Sequence, residues 1–222
     1  MFVGNGNVQR KVYNVGSFHS ILVNGTIDIR LAHGEKQLVE IETDENLHYT
    51  DAVQLSINEN DQRLSIQDHN CRYTKMIGYI QFVSTPPGLK SLKLNGTGLV
   101  QSTNEIFALD NTFSLTINGT RKVELRLDTK NGLELEMNGT SHLTLSGNIQ
   151  NFADIKQNGS TQFDGKNCTM SQATLDLRGT STAYIIAQDE INVNVKGVSR
   201  VFYRGPLRKK TVESITSTVQ EF

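Results

Sequence analysis

Apolar and polar residues alternate along most of the chain, and over residues 89–205 a short turn sequence interrupts the alternation at regular intervals. The turn reads Asn-Gly-Thr or a close variant, with an alternating segment on either side. Such segments predict β-strands that bury one face. The glycines of successive turns are 23, 20, 20, 20 and 18 residues apart: Gly96, Gly119, Gly139, Gly159, Gly179 and Gly197. A fixed period of this length predicts a β-solenoid with coils of about 20 residues.

When the coils are aligned on the glycine, the same positions are apolar in each of them. These positions lie four and two residues before the glycine and four residues after it. In the coil of Gly139 they are Leu135, Met137 and Leu143, and among the other coils only Gln157 is polar. The positions between them are polar, as strand alternation requires. We therefore predict that these three columns form the core.

The prediction for the whole chain is an all-β, single-domain parallel β-solenoid over residues 4–205, with regular coils over 89–205 and longer, irregular coils over 4–88. Gly25 belongs to the first coil, because Ile21, Val23 and Ile29 occupy the core columns around it. The strands between Gly25 and Gly96 form either irregular coils or capping hairpins, with links at residues 58–61 and 85–88. Residues 206–222 are a C-terminal cap or tail, either a final edge strand or disordered.

Composition narrows the range of partners. Lys plus Arg number 22 and Asp plus Glu number 23, so no bulk charge favours nucleic acid. No apolar run is long enough to span a bilayer, and residues 1–6 lack the features of a signal peptide. Either the protein is cytoplasmic, or a leader has been replaced by a methionine. Cys71 and Cys168 are either paired or two unrelated free thiols.

Several segments together resemble the head GIN domain family of auto-transporter adhesin-like proteins. They read Gly4-Asn5-Gly6-Asn7-Val8, Val15-Gly16-Ser17-Phe18-His19-Ser20-Ile21, Val23-Asn24-Gly25-Thr26-Ile27-Asp28-Ile29 and Val39-Glu40-Ile41-Glu42-Thr43-Asp44-Glu45-Asn46-Leu47, followed by the Gly-Thr/Ser coils. The resemblance covers roughly residues 4–205. It implies a right-handed, pectin-lyase-like β-helix in a bacterial protein of the envelope or secreted space, made with a signal that this sequence lacks. It implies no catalytic residues and no cofactor.

The turn residues have structural and functional interpretations. Stacked asparagines before the glycine predict a hydrogen-bonded ladder between coils, although read as Asn-x-Thr/Ser they are also glycosylation acceptors. The hydroxyl residues after the glycine predict either satisfied turn groups or an edge that binds a repeating glycan. They are Thr97, Thr120, Thr140, Ser160 and Thr180, with Ser141, Thr161, Ser181 and Ser199 beside them.

One acidic cluster is a candidate for chemistry. Glu134 and Asp154 share the column five residues before the glycine, and Glu136 lies one column away. A polysaccharide lyase or hydrolase on such a solenoid needs carboxylates that converge on Ca²⁺ with a nearby base, or a carboxylate pair set for acid and base roles. Lys156 and Asp176 interleave with these residues, which favours an ordinary solvated face.

The last coils carry a second candidate site. Tyr184 and Phe202 occupy the outward column five residues after the glycine, and Arg200 and Arg204 flank them. Such a strip suits a sugar ring, an anionic envelope component, coverage by the C-terminal tail, or an oligomer contact. We favour self-association, because an open solenoid end otherwise exposes a pairing edge.

The sequence therefore favours a non-catalytic binding or adhesion module that is neither membrane-spanning nor bound to nucleic acid. The expected partner is a glycan or an envelope component, with homo-oligomer formation through the last coils, and no metal or cofactor is expected. The alternative is a polysaccharide-active enzyme, supported by the fold type and the acidic cluster.

Overall fold

A computed structural model describes residues 1–83, 88–103, 107–214 and 218–222, and these residues are mainly β-structure with one 3-10 turn at Glu45–Tyr49. The first nine strands are β1 (Phe2–Val3), β2 (Val8–Tyr13), β3 (Ser20–Gly25), β4 (Asp28–Gly34), β5 (Leu38–Asp44), β6 (Val53–Asn58), β7 (Arg63–Asp68), β8 (Cys71–Arg72) and β9 (Met76–Val83). The following ten are β10 (Ser91–Ser102), β11 (Phe107–Leu109), β12 (Thr112–Thr129), β13 (Gly132–Gly139), β14 (His142–Gly159), β15 (Gln162–Gly179), β16 (Thr182–Gly197), β17 (Arg200–Arg204), β18 (Lys209–Ser214) and β19 (Thr218–Glu221).

The strands wind into a β-solenoid of about 6 turns with about 20 residues per coil. From β10 onward, neighbouring coils pair in parallel and in register with the turn sequence. Gly119 is the register partner of both Gly96 and Gly139, and Leu135 is the partner of both Leu115 and Ile155. All positions of the three predicted core columns in these coils are buried, Gln157 included. The predicted all-β solenoid and its inward columns are confirmed.

The N-terminal part departs from a purely parallel solenoid. Gly25 pairs in register with Gly96, so β3 and β4 form a coil beneath β10 as predicted. On the other side of that coil lie β7 and β9, again in parallel, so residues 63–83 form the outermost coil although they follow β3 in sequence. Strands β6 and β5 pair antiparallel with β7 and β9, and β2 pairs antiparallel with β5. Both predicted alternatives therefore occur, because a coil and its capping strands share this segment. Of the predicted link at 85–88, residues 85–87 lie outside the described residues.

The C-terminal segment forms a further coil. Strand β18 pairs with β16 and β19 pairs with β17, both in parallel, so the alternative of an edge strand is correct for the described part of the tail. The core column ends here at Val212, which is 39% exposed. Lys209, Lys210 and Glu213 lie on the same strand, and charged edge residues oppose further strand pairing.

Each regular coil turns at a glycine that touches the glycine below it. Gly139 has φ +91°, and a Cβ built on it would lie 2.7 Å from the carbonyl oxygen of Gly119. That carbonyl accepts a hydrogen bond from the backbone N–H of Thr140 at 2.9 Å. The preceding asparagines form the predicted ladder, each Nδ2 donating to the Oδ1 of the coil below at 2.7–3.0 Å: Asn95 to Asn24, Asn118 to Asn95, Asn138 to Asn118 and Asn158 to Asn138.

The first of these corners has no glycine beneath it and uses a carboxylate instead. Asp68 occupies the position below Gly25, and its two carboxylate oxygens accept the backbone N–H of Thr26 at 3.1 Å. The Thr26 hydroxyl donates to the same carboxylate at 2.5 Å. The Asp68 side chain thus replaces the glycine carbonyl that serves this N–H position in later coils, and it closes the hydrogen-bond row at this end.

A buried arginine ties three coils together. Arg121 is 2% exposed, and its guanidinium donates to the carbonyl oxygens of Ile27 at 3.1 Å, Gly25 at 2.9 Å and Asn95 at 2.8 Å. Gly98 provides the space, because a Cβ there would lie 3.3 Å from an Arg121 nitrogen. Burial lowers the pKa of Arg121 to about 10, an effect partly offset by the nearby carboxylates. The group therefore stays charged at neutral pH.

A buried carboxylate holds residues 4–6 of the N-terminal segment against the capped end of the solenoid. Asp44 is fully buried and accepts hydrogen bonds from the backbone N–H of Gly6 at 2.6 Å and of Thr74 at 2.7 Å, and from the Thr74 hydroxyl at 2.9 Å. Gly4 lies against the carboxylate, where a Cβ would come within 2.3 Å of the Asp44 Cγ. Burial alone would raise the pKa of Asp44, but the hydrogen bonds outweigh it and the pKa is lowered.

The column assignment can be tested by placing a charge inside and outside. Leu135→Asp puts an unpaired carboxylate into the core and should destabilise the protein by several kcal/mol or unfold the middle coils. Ser91→Asp is the control, since Ser91 lies on an outward column between Ser20 and Ser114. Urea unfolding followed by circular dichroism measures both. A Leu135→Asp protein as stable as the control would contradict the assignment.

Asp44 predicts a pH-dependent stability. Because its pKa is lower in the folded state, its contribution is present above the ordinary aspartate pKa of about 3.9 and is lost as the pH falls through the folded value. Asp44→Asn should cost about 2 kcal/mol at pH 7, the range for hydrogen bonds to a charged group, and less near pH 3. Urea unfolding at both pH values measures this, with the exposed Asp51→Asn as control. An equal cost at both pH values would show that the Asp44 charge has no role.

Candidate functional site

The structure brings the predicted acidic residues together on one outer face. Register pairs Glu134 with Asp154 and Glu136 with Lys156 on adjacent coils. These four residues, with Ser114 and Thr116, line a shallow depression of about 250 Å³. The depression lies on strands β12, β13 and β14, outside the core columns of the same strands.

Two of the three carboxylates in this depression have partners. Lys156 Nζ lies 3.2 Å from the Asp154 carboxylate, and Asn138 donates to Glu136 at 2.9 Å. One coil further, Asp176 is the register partner of Lys156 and forms an ion pair with Arg178 at 2.9 Å. Opposite charges therefore alternate in the column of Glu136, Lys156 and Asp176, whereas Glu134 and Asp154 stand side by side with the same charge. Over the described ranges, no group of three or more His, Cys, Asp or Glu side chains is arranged to hold a metal ion.

The aromatic strip lies in the last coils, on the strand segments that follow the glycine turn, whereas the acidic residues lie on segments that precede it. It occupies the predicted outward column. Tyr184 and Phe202 are register partners, and their rings stack with centroids 4.8 Å apart and planes 12° apart. Lys166 Nζ lies 3.7 Å from the centroid of Tyr184. Phe222 meets Tyr184 edge-on at 5.8 Å and 88°. The stack follows the solenoid axis, so its ring edges point outward and the faces of Tyr184 contact Phe202 and Lys166.

More of the cations around this strip are paired with acidic or hydroxyl groups than the sequence indicated. Arg200 and Arg204 are exposed, and the Arg204 guanidinium lies 5.4 Å from the Phe222 ring. Three further cations are engaged: Arg208 pairs with Asp189, Lys209 pairs with Glu190 at 2.7 Å, and Lys210 donates to the Tyr203 hydroxyl at 2.7 Å. Asp189 and Glu190 therefore offset part of the charge that the basic tail contributes.

The two hydroxyl columns at the turn have different environments. Thr97, Thr120, Thr140, Ser160 and Thr180 are exposed, whereas Ser141, Thr161, Ser181 and Ser199 are buried. Ser181 and Ser199 donate to the carbonyl oxygens of Gly159 and Gly179, both at 3.2 Å. Ser181 and Ser199 thus satisfy turn backbone groups, whereas the Thr161 hydroxyl bonds to the Gln157 and Ser181 side chains. Of the two columns, only the exposed one can meet a ligand.

Sequence analysis missed a polar groove on the face that carries the aromatic strip. Gln101, Glu124 and Thr144 occupy the same outward column as Tyr184 and Phe202 in earlier coils. With other polar residues they line a groove of about 510 Å³. Gln101 Nε2 donates to Glu124 at 2.6 Å, and Lys122 Nζ lies 2.7 Å from the same carboxylate. These contacts, that of Lys122 first, lower the pKa of Glu124. The sequence contains the pattern that predicts this groove, because its residues share the column in which Tyr184 and Phe202 lie.

The cysteines are two free thiols, which decides between the alternatives that the sequence left open. Cys168 is buried in the core, and burial raises its pKa to about 12. Cys71 is partly buried, and burial raises its pKa as well. Thiols with raised pKa values are poor nucleophiles at neutral pH, so neither is a candidate for nucleophilic chemistry.

Within the described residues, no helix is long and apolar enough to cross a membrane.

Fold and surface define an all-β solenoid with a regular core and ladders of outward polar groups. The family model described as "Putative auto-transporter adhesin, head GIN domain" matches residues 17–206. The chain belongs to this family, as its sequence resemblance implied. No curated protein matches the chain.

Solved structures with low sequence identity share the fold. A "putative adhesin" from Bacteroides fragilis is 18% identical with a TM-score of 0.84, and each chain covers 100% of the other. A "putative adhesin" from Parabacteroides distasonis is 20% identical with a TM-score of 0.63, covering 100% of this chain and 99% of that chain. A "putative lipid binding protein" from Parabacteroides distasonis is 17% identical with a TM-score of 0.67, covering 99% and 98%. At these identities the likeness shows the fold alone.

Proposed function

We propose that the chain is a non-catalytic bacterial binding module of the adhesion type, acting outside the cytoplasm at the cell envelope or as a secreted protein. Membership of an adhesin-like family supports this role. The observation that carries it is the pairing of charges on the acidic face, where Lys156 neutralises Asp154 and Arg178 neutralises Asp176. Carboxylates engaged in this way are not set apart as acid and base, and the rigid core leaves other outward columns to present fixed polar groups to an extended ligand such as a glycan.

The competing function is a polysaccharide lyase or hydrolase that uses Glu134, Asp154 and Glu136. A general acid and a general base need environments that drive their pKa values apart, or a metal that supplies the charge. Here the three carboxylates share one open, shallow depression with a lysine. The binding module is therefore the better interpretation of this face.

Turnover assays separate the two functions. The purified chain should release no product from acidic or neutral polysaccharides, with or without Ca²⁺, while a glycan array that includes envelope polysaccharides should show retained ligand. Glu134→Gln should leave that retention within about twofold, because surface substitutions away from a contact change free energies by about 0.5 kcal/mol or less. Glu59→Gln, in the exposed turn between β6 and β7, is the matched control. Turnover by the unmodified chain that Glu134→Gln alone abolishes would establish the enzyme instead.

For the C-terminal face we propose self-association through Tyr184, Phe202, Arg200 and Arg204. The last coil ends the solenoid with its core column open at Val212, and Phe222, which contacts Tyr184, is 40% exposed. Apolar and aromatic groups rimmed by cations are common at contacts between copies of one chain. An anionic ligand is the other occupant that this chemistry suits.

Sedimentation tests this assignment. We expect the chain to sediment above its 24.7 kDa monomer mass at high concentration, and Phe202→Ser to lower that mass while the β signal in circular dichroism is kept. Tyr49→Ser is the control, because Tyr49 is an exposed aromatic residue at the opposite, capped end. A wild-type chain that stays monomeric would exclude self-association and leave the face as a ligand site.

A further inference from the structure

We propose that the polar groove between Arg30 and Arg126 is the ligand subsite of this module, and that it binds a carboxylate-bearing oligosaccharide laid along the solenoid axis. The inference rests on the proposed binding function and names its ligand class. The groove lies on the outer face that also carries the aromatic strip, but on the middle coils. It is lined mainly by Arg30, Gln101, Glu124, Arg126, Thr144 and Ser146 and encloses about 510 Å³.

The groove runs across four successive coils. Register places Arg30 beside Gln101, Gln101 beside Glu124, and Glu124 beside Thr144. Adjacent coils in a parallel sheet are about 4.8 Å apart, so Arg30 and Arg126 stand about 10 Å apart along the axis, with hydrogen-bonding side chains between them. An extended polymer with polar groups at regular intervals fits such a row better than a compact ligand does.

The two arginines have donors that the protein does not use. Arg30 is half-buried, and its Nη1 is shielded from solvent without a hydrogen-bond partner among the described residues. A buried N–H group without an acceptor is costly, and a rotation of the Arg30 side chain that presents this group to an acceptor in the groove removes that cost. Arg126 is exposed, and the ion pairs found in the described part of the chain do not include its guanidinium. A carboxylate is the acceptor that matches the planar guanidinium in two parallel hydrogen bonds.

The carboxylate already in the groove does not oppose an anion. Glu124 is paired with Lys122 at 2.7 Å and accepts from Gln101 at 2.6 Å, so its charge is balanced within the protein. Thr144 and Ser146 add hydroxyl groups that exchange hydrogen bonds with sugar hydroxyls. Two separated guanidinium groups, with Gln101 and the ion-paired Glu124 between them, favour a chain of sugars that carries spaced carboxylates.

The probe is tetragalacturonate, compared with its methyl ester, which has the same sugar rings without the charges. Isothermal titration calorimetry should show that wild type binds tetragalacturonate at least about tenfold more tightly than the ester, the effect expected for loss of one charge-assisted hydrogen bond. Arg126→Gln should weaken binding of the acid by a similar factor and leave binding of the ester nearly unchanged. Arg30→Gln should act in the same way.

Lys93→Gln is the matched control, because it removes one positive charge from an exposed residue on the acidic face. Equal weakening by Lys93→Gln and Arg126→Gln would mean a general charge effect and would overturn the subsite. Arg126 is exposed, so its variant keeps the test valid even if Arg30→Gln unfolds. Equal affinity for acid and ester, or no binding of either, would also overturn it. Glycan-array binding that survives such a result leaves the proposed function standing, whereas an empty array removes both.

Discussion

The close contact between stacked corner glycines is the constraint on which the rest of the solenoid depends. At Gly119, Gly139, Gly159 and Gly179 a Cβ would lie 2.4–2.7 Å from the glycine carbonyl oxygen of the coil below. No side chain tolerates that distance, so each regular coil must return a glycine to the same place. The period in the sequence follows from this contact. The asparagine ladder and the buried hydroxyl column lie on either side of it, and both add hydrogen bonds between coils that the corner has already aligned.

The same constraint explains the unusual residues at the capped end. The first corner has no glycine carbonyl below it, and Asp68 supplies carboxylate oxygens to Thr26 in its place. Two coils along, Arg121 occupies the column that holds serine or threonine in later coils and donates to three carbonyl oxygens of the coils below. A buried cation whose donors mostly meet carbonyl oxygens is compensated for its loss of water, and here it joins the first coils of the stack. At this end, side chains therefore supply hydrogen bonds between coils that backbone groups supply in the regular coils.

The regular coils could be predicted because their constraint is local and repeats. Spacing alone predicts Leu135 and Met137 as core residues, and both are buried. The spatial order of the first coils could not be predicted, since β7 joins β3 from the far side and no repeat marks that choice. The burial of Arg121 could not be predicted either, because a charged residue after an Asn-Gly-Thr turn has the sequence pattern of a surface position. Among the site residues, the outward column of Tyr184 was predictable from alternation, whereas its Lys166 contact depends on a register shift in β15.

Function in such a fold is best sought in outward columns, because the inward ones are committed to packing. The column five residues after the glycine changes character along the axis: Gln101, Glu124 and Thr144 in the middle coils give way to Tyr184 and Phe202 near the end. A structural role alone would not require this change, since any polar residue satisfies an outward strand position. The polar segment retains an unpaired Arg30 Nη1, and the aromatic segment has its rings engaged with one another and with Lys166. The polar segment is therefore the part of the column with capacity left for a ligand, and the aromatic segment is the part suited to contact with another surface.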